Sequence, residues 1–155
     1  MRKTKQINYR GILEFQLPAD WVEEYDDNLG GTFYEDDPLS GTLRLNLMTL
    51  RAPSGELFED ASVILDNIIP KGSDSILLSN NNAFKMFYEQ TTESDHEITI
   101  NYWSLLNYQE PNHVRLANFS YTILNSRLEL DSVRKEIDFI TEKIKEAEFK
   151  VTKDI

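Results

Sequence analysis

The chain is 155 residues long, 40% hydrophobic and 11% aromatic, which is the size and richness of one folded domain and not of a disordered segment. Sixteen basic residues stand against 27 acidic ones, a formal charge of -11, so nucleic acid and anionic lipid are disfavoured as partners. Cysteine is absent, which excludes a disulfide scaffold and thiolate chemistry, and no apolar run approaches the ~18 residues a membrane helix needs, so no membrane insertion is expected.

The opening MRKTKQINYRG has the basic residues of an export signal without the apolar stretch that follows one; it is read as a short basic arm on a cytoplasmic protein. Next comes ILEFQLPADW. Leu13, Phe15 and Leu17 alternate with Glu14 and Gln16, the period of a strand with one buried face, and Pro18 ends its ladder because it donates no hydrogen bond. Trp21 is expected to fold back and seal that end of the core, its indole N–H satisfied locally. The run EEYDDN at Glu23 to Asn28 and the run YEDDP at Tyr34 to Pro38 read as acidic loops. Between them Gly30 and Gly31 form a turn and TFYED begins a second strand. In GTLRLNLMTL, Leu43, Leu45 and Leu47 alternate with Arg44 and Asn46, and the three strands are expected to pair as an antiparallel meander.

After Pro53 the period changes. Ser54 is placed to cap a helix carrying Leu57, Ala61, Ile64, Leu65 and Ile68, stopped by Pro70 and Gly72. Strands follow at SILLS with AFKMFYEQTT, at HEITINYWSLLNY and at HVRLANFSYTIL, joined by the polar turns SNNN, TESD and QEPN. Ser126 and Glu129 form a capping box for a long final helix whose stripe is Val133, Ile137, Ile140, Ile144 and Ala147. Both faces of the later strands are partly apolar, which suits a sheet with helices on both sides. The expected fold is one α+β domain with a core over residues 12–147 and a polar C-terminal tail: a largely antiparallel sheet of six to seven strands between a mid-chain helix and a long C-terminal helix, a three-layer α/β/α sandwich.

LEFQLPADW resembles the strand-to-Pro-x-x-Trp opening of the PsbP-like and Ran-binding Mog-type α/β/α sandwiches. The resemblance continues through GGTFYED, GTLRLNLM, ELFEDASVILDNII and the closing amphipathic helix. Members of that superfamily serve as photosystem subunits, Ran-binding proteins, lipoproteins and chaperones for secreted effectors, so the resemblance implies binding without catalysis, and no particular partner.

Motifs for chemistry are missing. His96 and His113 stand seventeen residues apart without metal-ligand spacing or a nucleophile elbow. Asp36 and Asp37 lack the alternating oxygens of an EF-hand, and the glycines fit neither dinucleotide nor phosphate-loop spacing. The expectation is a non-catalytic protein without metal or cofactor that binds a protein partner as a chaperone or adaptor for a secreted protein. One candidate surface is an apolar patch of Phe87, Trp103, Leu105 and Tyr121, left open if the last helix does not close it. The other is the acidic set Glu23, Glu24, Asp26 and Asp27, which suits an alternative role as an immunity-type inhibitor of a basic toxin site. An enzyme or small-ligand binder with an unfamiliar site is the third possibility.

Overall fold

The computed structural model describes residues 2–37, 40–52, 60–110 and 112–150. Among these residues two antiparallel sheets and two α-helices make an α+β fold. The smaller sheet has the order β1 (Thr4–Tyr9), β2 (Leu13–Pro18), β10 (Glu148–Phe149) with β2 in the middle. The larger has seven strands, in the order β3 (Val22–Asp26), β4 (Gly30–Tyr34), β5 (Thr42–Arg51), β9 (His113–Leu124), β8 (His96–Glu110), β7 (Ala83–Glu93) and β6 (Ile76–Leu77).

Three expectations change here. The N-terminal residues are not a loose arm: Ile7 and Tyr9 alternate inward and are buried, and β1 pairs with β2 along its whole length, so the core begins before residue 12. Nor does β2 join a meander. It is spent on the small sheet, between β1 and β10, and only β3, β4 and β5 pair consecutively. Pro18 permits this because it ends β2, and a turn at Pro18–Trp21 then redirects the chain. Third, the acidic run from Glu23 to Asp26 is strand β3 and not a loop.

The large sheet buries its two faces differently. On one, Leu43, Leu45, Trp103, Leu105, Phe119 and Tyr121 pack against the small sheet and against helix α2 (Asp131–Lys145) through Val133, Ile140 and Ile144. On the other, Leu106, Val114, Leu116 and Ala83 pack under helix α1 (Ala61–Ile68) through Ala61, Ile64 and Leu65. Between this patch and the Phe87–Tyr102 stack on the same side, Ser104 is bonded to Asn118 at 2.9 Å. The register explains the split, because Trp103 pairs with Phe119 while Leu106 pairs with Leu116, an odd step that puts the two pairs on opposite faces.

Both helices are shorter than expected. α1 is capped by Asp60, whose carboxylate accepts the Ser62 N–H at 2.8 Å; Ser54 and Leu57 lie outside the described residues. The residues of the expected capping box form a 3-10 turn at Asn125–Arg127, and α2 begins at Asp131 and spans 15 residues, with Ala147 buried just beyond its end. The β7–β8 hairpin turns on Ser94 and Asp95, both at positive φ (51° and 67°), the combination a two-residue turn of right-handed twist demands.

Candidate functional site

Trp103 is fully buried, its Nε1–H donates to Thr141 Oγ1 of α2 at 3.0 Å, and Leu105 and Tyr121 lie beside it under the same helix. The apolar patch expected at Phe87, Trp103, Leu105 and Tyr121 is therefore closed, because the stripe of α2 needs that surface. Burial first of all pushes the Tyr121 phenol up from its ordinary pKa, and Gly41 packs so closely that a Cβ there would stand 2.3 Å from Tyr121 Cζ. Phe87 is not part of this group. It pairs in register with Tyr102, on the opposite face from Trp103, and stacks on that ring at 4.8 Å.

The acidic residues are brought together by β3 but used internally. Glu23 bridges Lys5 at 2.8 Å and accepts the Tyr25 hydroxyl; the Lys5 hydrogen bond first, and then Tyr25, holds its carboxyl below the usual range. Tyr34 donates to Glu24. Asp26 accepts the N–H groups of Leu29 and Asn28, which lower its pKa and set the β3–β4 turn. Its main-chain carbonyl and that of Asp27 accept from Arg10. Trp21 is buried as expected, yet its indole N–H has no hydrogen-bond partner among the described residues.

The surface that the structure leaves available is an edge. β6 pairs with β7 only at Ala83 and Phe84; Gly72 then packs against the Met86 carbonyl and Phe87, and among the described residues no backbone pairs with the outer side of Lys85–Glu93. Large apolar side chains crowd this margin: Ile76 is 51% exposed, Leu77 55%, Met86 39% and Tyr88 67%. Met86 and Tyr88, two residues apart, share one face; Phe87 and Glu89 share the other. Along the edge runs an open hollow of about 490 Å³ lined by Lys71, Gly72, Met86, Phe87, Tyr88 and Asn101. Asn101 Nδ2 is buried without a hydrogen-bond partner among the described residues. Lys85 anchors the root of the strand, with its ammonium on Asp66 at 3.1 Å and on the Ile69 carbonyl, and the Ser75 N–H is the largest cause of the lowered Asp66 pKa.

The sequence reading recognised AFKMFYEQTT as a strand but not as an edge. Its available signal was the presence of apolar residues at both parities, Phe84, Met86 and Tyr88 against Ala83 and Phe87. Among the described residues no group of three or more His, Asp or Glu could hold a metal ion, and no helix is long and apolar enough to cross a membrane. His96 and His113 each begin a strand, His96 exposed and His113 buried.

No protein-family profile matches the sequence, and no curated protein does. Solved structures do match. LpqN of Mycobacterium tuberculosis, a protein involved in cell envelope biogenesis, superposes with a TM-score of 0.64 at 11% identity, over 95% of this chain and 90% of that one. A protein of Bacteroides thetaiotaomicron superposes at 0.63 with 18% identity over 97% of this chain, which spans 49% of that protein's length. Cyanobacterial PsbP from Synechocystis aligns at 0.46 with 9% identity, over 97% and 94% of the two chains. The resemblance read from the sequence is present at the level of the fold, and at such identities it extends to the fold alone.

Proposed function

We propose that the chain is a non-catalytic, cytoplasmic protein-binding module, acting as a chaperone or adaptor for a secreted protein, and that it takes an extended segment of its partner on the free side of β7. The observation that carries this reading is the outer side of β7 beyond Phe87, with which no described backbone pairs, with Tyr88 exposed along it and Met86 partly exposed where Gly72 approaches its carbonyl. Unpaired N–H and C=O groups in a row bind any extended chain, and flanking apolar side chains select which one. A chaperone that holds a partner unfolded needs that combination. The helices, with α1 and α2 on opposite faces of the large sheet, we read as outer layers of the PsbP-like three-layer sandwich, which leaves edges as the surface free for binding. The inhibitor reading loses ground, since Glu24 and Asp26 already hold the β3–β4 hairpin together and Glu23 ties it to β1.

A photo-crosslinking residue placed at Tyr88, and separately at Glu24 on the other edge, tests this in the native host. A defined protein adduct from position 88 and none from position 24 is expected. Equal adducts from both positions, or none from 88, would sink the proposal.

A further inference from the structure

Resting on that edge as the binding site, we infer that the bound segment is basic, with two large apolar residues two positions apart and lysine or arginine beside the Glu93 end. Charge and side-chain spacing together specify it. Over residues 60–110 the cations are Lys71 and Lys85, and each is already bridged, Lys71 to Glu89 and Lys85 to Asp66. Against them stand Asp74, just ahead of β6, and Glu93, Asp95 and Glu97 around the β7–β8 turn, for which no cationic partner exists among the described residues. A strand added to β7 would lay its last or first residues beside Glu93 and the turn that carries Asp95, with Glu97 one strand further in. Opposite charge across a ladder is favourable and like charge is not.

Side-chain spacing supplies the second constraint. Met86 and Tyr88 project from one face of the edge, so a strand hydrogen-bonded to it must meet them with residues i and i+2 of its own on that face. A second copy of this chain is the poorer occupant. It carries the same -11 charge, so two copies repel.

The test uses the full chain and three fluorescent nine-residue peptides. The first has alternating isoleucine and threonine with lysine at both ends; the second replaces lysine by glutamate; the third keeps lysine but places proline at alternate positions, which removes the ladder donors. Anisotropy at 50 mM and 500 mM salt is read for the wild type, for Met86→Ser/Tyr88→Ser and for Glu93→Gln/Asp95→Asn/Glu97→Gln, each first shown to be folded by circular dichroism. The lysine peptide is expected to bind ~10-fold or more tightly than the glutamate peptide at low salt, with the gap shrinking at high salt, as charge complementarity predicts. Neutralising the three acids should close the gap, and Met86→Ser/Tyr88→Ser should weaken both peptides. Equal binding of lysine and glutamate peptides overturns the basic-segment inference while leaving the edge as the site. Undiminished binding of the proline peptide overturns the edge itself, as does indifference to Met86→Ser/Tyr88→Ser. A dimer in sedimentation that dissociates in that double variant assigns the edge to a second copy and overturns the basic partner.

Discussion

The two margins of the seven-stranded sheet are managed differently. At β3 the edge strand has five residues, three of them acidic, and Lys5 reaches across from β1 to bond Glu23 and the Trp21 carbonyl. At β7 an eleven-residue strand is paired at its root by a two-residue β6 and flanked at Met86 by Gly72, and its outer side is unpaired beyond, with Tyr88 outward. Charge, brevity and a covering side chain are the ordinary defences against unwanted strand addition. At β7 the charges Lys85 and Glu89 and the reach of Lys71 guard the root and middle, and the unpaired stretch beyond Phe87 is why binding is placed there.

Mutation can break this contrast from either side. The sheet's centre sets the scale: Trp103→Ala should cost roughly 3 to 5 kcal/mol in denaturant unfolding, whichever edge is occupied. On the defended side, Gly30→Ala should cost about 2 to 4 kcal/mol, because φ is +92° and a Cβ would stand 2.1 Å from the Leu45 carbonyl oxygen, loosening β4 and with it β3. A smaller loss would mean that the hairpin shifts freely and that the β3 edge is less rigid than its contacts imply. At the root of the open edge, Lys85→Ala strips the cation from Asp66 and from the Ile69 carbonyl; with Asp66 about a third exposed, about 2 kcal/mol is expected.

Lys5→Ala tests the defence directly. It should cost about 1 kcal/mol at pH 7, and more tellingly create binding at β3, measurable as new adducts from position 24. The pH dependence has a definite sign. Glu23 is held below its ordinary pKa in the folded chain, so its contribution is present above the unfolded value of about 4.3 and is lost as pH falls through the lower folded value. The stability gap between wild type and Lys5→Ala should therefore narrow on acidification below about pH 4. The smallest effect on stability belongs to Met86→Ser/Tyr88→Ser, within about 0.5 kcal/mol of wild type, although it removes the flanks of the proposed site.

Much of the fold was legible locally. The alternations in LEFQL and TLRLNL gave β2 and β5, the long strands β7, β8 and β9 fell where their turns separated them, and the stripe Val133, Ile137, Ile140, Ile144 marked the buried side of α2. The candidate site was not legible in the same way. Trp103 and Leu105 looked equally suited to a patch or a core, because alternation reports which residues share a face but not what covers it. EEYDDN looked like a loop because charged residues are poor strand formers in isolation, and an edge strand tolerates them since one side and one margin stay wet.

Composition and periodicity by themselves determined that this is one folded, acidic α+β chain without thiols, with strands and helices close to where they are found. Those are properties of short windows, fixed by side-chain size, period and turn residues. Tertiary structure alone decided that β2 leaves the main sheet for β1 and β10, that α2 closes over Trp103, and that β7 is left at a margin. Strand neighbours are chosen by competition between segments tens of residues apart. The bare backbone of an edge is visible only after every other strand has found its partner.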